Sequence, residues 1–259
     1  MKQNLSIVKI GGNVIENKEE LSKFLKLFAK LDEPKILVHG GGKLATQLAT
    51  KLGVVSKLVD GRRITDAKTL EIATMVYGGL TNKNIVAALQ ANKCNAIGLS
   101  GADANLIQAH KRPVKEIDYG YVGDVDGVNT QKLSKLLKIG LSPVFCALTH
   151  DGLGQLLNTN ADTIASEIAT HMSKFYTTTL YYCFEKKGVL RDINDEDSVV
   201  EQIDHRGYTN LLNEGIIADG MIPKIDNCFY ALERGVDKVC IGNIAMLKKE
   251  QKKFTTVTL

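Results

Sequence analysis

Three Asn and Asp side chains crowd one corner of the sequence, Asn158-Thr159-Asn160-Ala161-Asp162. The corner follows an apolar strand-like run, Gln155-Leu156-Leu157, and opens an Ala-rich helix-like run, Ala161 to His171. In an open α/β sheet such corners sit at the carboxyl ends of strands, where ligands bind. Asn and Asp also cap helices, and one of the three can do only that. A cap needs one such residue, so the cluster points to binding.

Lysines and glycines supply the complementary chemistry. Ile7-Val8-Lys9-Ile10-Gly11-Gly12-Asn13 ends an apolar strand in a glycine pair, where backbone can turn sharply and approach a ligand. A lysine in such a strand is costly to bury unless it meets an anion, so Lys9 is expected to face phosphate or carboxylate. The plainer alternative is a tight turn with a snorkelling lysine. Val38-His39-Gly40-Gly41-Gly42-Lys43 is a second glycine-rich strand-to-helix turn. Consecutive N–H groups at a helix N-terminus favour anions. Neither turn has the Walker ending or the three-glycine dinucleotide spacing, and the protein-kinase triplets are absent.

Asp60-Gly61-Arg62-Arg63-Ile64-Thr65 brings two arginines, whose planar forks suit carboxylates. Adjacent strand residues point to opposite faces, so at most one arginine serves a site. In Gly215-Ile216-Ile217-Ala218-Asp219-Gly220-Met221-Ile222-Pro223-Lys224, Asp219 can cap a helix with Lys224 about one turn in. A solvated helix lysine is the alternative there. The histidines offer no general base: His39 is read as structural, and His110, His150, His171 and His205 lie outside the motifs.

Around these residues, strand-like and helix-like patterns alternate. Strands are expected over 5–10, 35–38, 95–99, 143–148, 175–184 and 236–241. Helices are expected over 21–31, 43–52 and 219–234, with a long one over 67–90 interrupted at Gly78-Gly79. A β-hairpin excursion is expected between Leu106 and Val128. This order argues for an α/β class with a mainly parallel sheet and right-handed crossovers. With 259 residues, 44% hydrophobic, the chain suits one large domain or two intimate lobes. A boundary near residue 174 carries no linker signature.

Composition excludes several classes. No run of 18 apolar residues suggests a membrane span, and the N-terminus shows no signal-peptide pattern. The net charge of +4 is too small for a typical nucleic-acid binder. The run Lys248 to Lys253 reads as a solvated surface. Cys94, Cys146, Cys183, Cys228 and Cys240 are scattered singly, without zinc or redox spacing, and are expected to pack as small apolar residues. A cytoplasmic location is the default expectation.

Seven collinear segments together resemble the amino-acid kinase family: KIGGN, HGGGK, DGRRIT, GLSGAD, DYGYVGDV, LLNTNAD and GIIADGMIPK. The resemblance implies a three-layer αβα fold with an eight-stranded, mainly parallel central sheet, as in carbamate kinase. It implies a single domain over 1–259. Lobe 1–174 would bind the acylated amino acid and dimerise, and lobe 175–259 would bind nucleotide. The implied activity is ATP-dependent phosphorylation of the γ-carboxylate of N-acetyl-L-glutamate, the second step of arginine biosynthesis, with N-succinyl-L-glutamate as a second candidate. Mg²⁺ is expected to ride on the nucleotide phosphates, with no protein metal site.

By the same resemblance Lys9 and Lys224 touch the transferring phosphoryl group, and Asp162 holds both lysines. Gly11, Gly12, Gly41 and Gly42 give backbone N–H bonds to phosphoryl oxygens and the γ-carboxylate. Arg63, placed where the family pattern has its arginine, binds the α-carboxylate with Asn158, and Asn160 lines the same site. The family's acidic strand end before the nucleotide reads Phe184-Glu185-Lys186-Lys187-Gly188-Val189 here. Glu185 takes the place of an aspartate, and Gly188 joins it in nucleotide binding. Gly-Ala-Asp-Ala replaces Gly-Lys-Asp-Gly around Asp103. Eight residues precede Lys9, whereas arginine-inhibited members carry an extra N-terminal helix that builds a hexamer; a homodimer without that feedback is expected. Two other readings stay open: a sibling kinase for carbamate, aspartate, glutamate or UMP, and a non-catalytic nucleotide or amino-acid sensor.

Overall fold

The structure is a computed structural model that describes residues 2–259 apart from 60, 61, 219, 220, 249 and 252. In chain order its strands are β1 (Gln3–Ile10), β2 (Lys35–His39), β3 (Leu58–Val59), β4 (Arg62–Arg63), β5 (Ala96–Leu99), β6 (Ile107–Lys111) and β7 (Gly123–Val128). They continue with β8 (Ser142–Cys146), β9 (Leu148–His150), β10 (Leu156–Asn158), β11 (Tyr176–Cys183), β12 (Gln202–Ile203), β13 (Lys238–Gly242) and β14 (Thr255–Val257). The helices are α1 (Gly12–Glu16), α2 (Lys18–Ala29), α3 (Gly42–Lys51), α4 (Ala67–Ala73), α5 (Asn82–Ala91), α6 (Thr130–Lys138), α7 (Ala161–Met172), α8 (His205–Asn213) and α9 (Ile222–Glu233).

The fold class is the α/β one read from the pattern, a mostly parallel sheet with helices on both sides. The chain divides into two compact units, residues 1–35 with 165–259, and residues 36–164. In the first unit the strand order is β12-β14-β13-β11-β1. Here β1, β11 and β13 run parallel in register, Lys9 beside Tyr182 and Tyr182 beside Ile241, so their carboxyl ends open on one edge. The edge pair β12 and β14, parallel to each other, runs opposite to these three, β14 pairing antiparallel with β13. Apolar side chains from Leu5, Ile7, Val8, Ile10, Leu180 and Val239 are buried along these strands. The near-continuous apolar runs are what a sheet covered on both faces requires. Asn17 starts α2 by accepting from the Glu19 and Glu20 amides, and Phe24, Leu25 and Phe28 of that helix are buried.

The second unit carries β2-β8-β5, all parallel, and a four-stranded sheet in the order β10-β9-β6-β7. The expected hairpin is present as the antiparallel pair β6–β7, with a register shift between Gln108 and Ala109. Two expectations are corrected. The apolar run 143–148 is two strands, β8 and β9, that belong to different sheets. The long helix is not broken at Gly78-Gly79: between α4 and α5 the backbone widens into a π-helical segment, Thr74–Thr81. The two glycines sit inside that segment, where the wider turn is accommodated rather than ended.

Candidate active site

In residues 36–164 the site is built around the turn after β2. His39 is wholly buried. Its Nδ1 lies 2.7 Å from the Gly40 carbonyl, and its Nε2 lies 3.0 Å from Asn82 Nδ2, which also donates to the Val144 carbonyl at 2.9 Å. An amide N–H₂ can only donate, so Nε2 is the acceptor and Nδ1 carries the proton. Burial lowers the His39 pKa to about 4, so the ring is neutral at physiological pH. His39 is thus structural, as its sequence context suggests: it pins the first glycine of the turn.

Gly41 caps α3 without a side-chain bond. A Cβ on Gly41 would come within 2.8 and 3.1 Å of two ring carbons of Tyr77, so the close approach of that ring is why glycine is needed. Arg63 completes the turn from β4. Its Nη2 donates to the Gly42 carbonyl at 2.8 Å and to Thr46 Oγ1 at 2.7 Å, and its Nη1 donates to Ser56 Oγ at 2.8 Å. Arg63 therefore reaches the glycine turn, as its place in the sequence suggests. The side chain of Arg62 lies outside the described residues, as do Asp60 and Gly61.

The Asn/Asp corner joins the same network. Asn158 Nδ2 donates to Thr65 Oγ1 at 3.0 Å, and Thr65 Oγ1 donates to the Arg63 carbonyl at 3.2 Å. Gly42, Arg63, Thr65 and Asn158 are thus connected by hydrogen bonds. Thr159 is buried, its hydroxyl 2.7 Å from Thr149 Oγ1 and 3.2 Å from the Gly123 carbonyl, a packing role. Asn160 Oδ1 accepts from the Asp162 amide at 2.7 Å, so Asn160 is the member of the trio that caps α7. Asp162 lies in the first turn of α7, half-buried, where the helix dipole favours a carboxylate.

In the other unit Lys9, Gly11 and Glu185 lie at the carboxyl ends of β1 and β11. Lys9 is half-buried one residue before the end of β1. Burial pushes the Cys183 thiol up, and the nearby Lys9 ammonium opposes that rise. The Gly11 amide donates to the Cys183 carbonyl at 3.2 Å, and α1 begins at Gly12. Glu185 is exposed just beyond β11. The two lysines after it are engaged with acidic residues: Lys186 with Glu196 at 3.3 Å, and Lys187 with Asp197 at 3.0 Å, which Lys253 also meets at 3.2 Å. A Cβ on Gly188 would meet Thr255 Oγ1 at 2.6 Å and Val199 Cγ1 at 2.8 Å, so packing alone demands glycine there. Lys224 is half-buried in the first turn of α9, which starts with Pro223 near its N-terminus and Met221 at the cap. Asp219, read as a cap from sequence, lies outside the described residues.

Tyr77 is the site residue that motif reading passed over, and its environment belongs to no short pattern. Among the described residues no group of three or more His, Cys, Asp or Glu side chains could hold a metal ion, and no helix is long and apolar enough to cross a membrane. All five cysteines are free and buried.

Mainly parallel strands ending in glycine turns, with lysines beside them, define a phosphate-handling αβα protein. The model of the amino acid kinase family matches residues 4–243, and the chain belongs to that family. It is 58% identical over 240 residues to acetylglutamate kinase of Cytophaga hutchinsonii, covering 92% of this chain and 91% of that protein. It is 55% identical over 241 residues to acetylglutamate kinase of Bacteroides fragilis, covering 93% and 92%. Among solved structures, smu.665 of Streptococcus mutans superposes with a TM-score of 0.81 at 25% identity over 98% of each chain.

Proposed function

We propose that this chain phosphorylates the γ-carboxylate of N-acetyl-L-glutamate with ATP, giving an acyl phosphate and ADP in arginine biosynthesis. The observation that carries the reading is the linked set Gly42–Arg63–Thr65–Asn158, in which a guanidinium meets a glycine turn and the Asn158 amide is tied through Thr65 to the Arg63 backbone. Such a set suits a carboxylate-bearing substrate. The similarity to two acetylglutamate kinases over most of each chain supports the choice of substrate.

The attacking group is a carboxylate oxygen. A glutamate-like carboxyl has a pKa of about 4.3, so it is ionised at neutral pH and no general base is needed. His39, neutral and bonded through both ring nitrogens, is not available as one. An oxygen–phosphorus bond forms to the γ-phosphorus as the bond to the ADP oxygen breaks. The difficulty is bringing an anion against a polyanion, so positioning and charge neutralisation carry the catalysis.

In this reading Lys9 and Lys224 neutralise the transferring phosphoryl group, and Asp162 supplies the countercharge that keeps two ammonium groups together. The amides of Gly11 and Gly12 serve the phosphoryl oxygens, and those of Gly41 and Gly42 the γ-carboxylate. Arg63 and Asn158 receive the α-carboxylate, with Asn160 at the edge of that site. Glu185 and Gly188 belong to the nucleotide segment. On the lobe assignment, residues 1–174 bind the acylated amino acid and dimerise, and residues 175–259 bind ATP. A divalent cation, Mg²⁺ in this proposal, supplies further neutralisation on the nucleotide phosphates, as such ions often do. The reading places the enzyme in the cytoplasm as a homodimer acting on small molecules.

A coupled ADP-release assay over a panel of N-acetylglutamate, N-succinylglutamate, glutamate, aspartate, carbamate and UMP tests the proposal. Turnover on an N-acylglutamate far above the rest is expected. Preference for an unacylated substrate moves the chain to a sibling activity. Calorimetric ATP binding with no turnover on any substrate makes it a sensor.

A further inference from the structure

We propose that Tyr77 is a substrate-binding residue, its phenol donating a hydrogen bond to the carboxylate that Arg63 receives. The inference rests on the acylglutamate reading and extends it to a side chain that no motif marks. Tyr77 lies on the π-helical segment Thr74–Thr81, and such widened turns occur frequently at functional sites. The side chain is 4% exposed, with its ring closed against Gly41. Its hydroxyl and Arg63 Nη2 lie 4.0 and 3.8 Å from one point, the position a Gly42 Cβ would take.

The donor and acceptor inventory then decides which way the phenol works. Arginine has only donors, so toward Arg63 the tyrosine oxygen serves as acceptor. The phenolic hydrogen must point elsewhere, and among the described residues Arg63 is the hydrogen-bond partner the phenol has. Burial holds the phenol pKa above its ordinary value, so the group keeps its proton. Leaving a buried donor unmet is costly, on the order of 1–3 kcal/mol. Thr81, on the same segment, repeats the pattern. Its hydroxyl is enclosed without a partner, 3.7 Å from the point where a Gly41 Cβ would sit. Two hydroxyls lacking acceptors beside a glycine turn and a guanidinium form a donor-rich pocket for an anion. A purely structural tyrosine propping Gly41 would need the ring and not the hydroxyl.

Tyr77→Phe separates these roles, because it keeps the ring and removes the donor. In the full-length chain we expect the KM for N-acetylglutamate to rise about tenfold or more, the loss typical of a hydrogen bond to a charged group. The KM for ATP should stay within about twofold, and the ligand-free melting temperature should not fall, because the substitution removes an unmet donor. Calorimetric binding of N-acetylglutamate without nucleotide should weaken in parallel. An unchanged KM and Kd, or equal rises for both substrates, overturns the assignment while leaving the activity standing. If the unaltered chain binds N-acetylglutamate without turning it over, the kinase reading falls and the Kd comparison still decides Tyr77. If it does not bind N-acetylglutamate at all, both fall.

Discussion

The chain makes the same local shape twice, a buried strand running into glycines and a helix, and holds the two copies in different ways. The turn at Gly40–Gly42 is gripped by side chains from several elements: His39 and Asn82 below it, the Tyr77 ring against Gly41, and Arg63 on the Gly42 carbonyl. At the turn Gly11–Gly12 the Gly11 amide donates to the Cys183 carbonyl and the Gly11 carbonyl accepts from the Ile15 amide, and a Cβ on Gly11 would find nothing closer than 3.7 Å. The Gly40–Gly42 turn is set by packing. The Gly11–Gly12 turn leaves open space at its first glycine, with a lysine two residues ahead of it. On the proposed reading, shape is fixed where a carboxylate is placed, and charge is offered where a phosphoryl group is neutralised.

That contrast can be broken from either side. The largest effect is expected from charge: Lys9→Ala and Lys224→Ala should each lower kcat by about two orders of magnitude or more, by analogy with loss of one electrostatic donor. Steady-state kinetics with both substrates saturating checks this, and near-normal turnover in both variants removes charge from the account. Next comes His39. Its folded pKa of about 4 lies below the ordinary 6.5, so the unfolded chain binds more protons between those values. The stabilisation is complete above pH 6.5 and is lost as pH falls toward 4, by about 3 kcal/mol. Urea titrations at pH 7 and at intermediate acid pH should show the decline, and a smaller decline in a His39→Gln variant that still folds.

Smaller again is Gly41→Ala. The added carbon meets the Tyr77 ring, so a loss of about 1–3 kcal/mol is expected from overpacking. Gly11→Ala should be the mildest, within about 1 kcal/mol, because Gly11 has an extended backbone with φ −79 and ψ 168 that alanine adopts freely. Denaturant midpoints for the pair sharpen the comparison. Equal losses would mean that both turns are held alike.

Much of this frame was legible in residue order. Apolar runs ending in glycines located β1 and β2, and the excess of Asn and Asp at 158–162 marked a corner that does join Arg63 through Thr65. The pattern also allowed for one capping residue in that corner, and Asn160 is that residue. What escaped has physical causes. The run 143–148 is apolar throughout, so nothing in its pattern shows the handover at Ala147 from one sheet to another. Gly78-Gly79 signals a disturbed helix, but a break and a π turn share the same composition. Tyr77 stays hidden for the same reason: its value comes from the turn that aims it, and one aromatic in a helix pattern reads as core. Gly188 went the other way, since a packing need in the folded chain explains it as fully as a ligand would.

The most direct test of the central claim is to trap the product. Incubation of the unaltered chain with ATP, Mg²⁺, N-acetylglutamate and hydroxylamine should yield the γ-hydroxamate in step with ADP, one for one. ADP release without hydroxamate, or no reaction while ATP binds, would contradict phosphorylation of the γ-carboxylate.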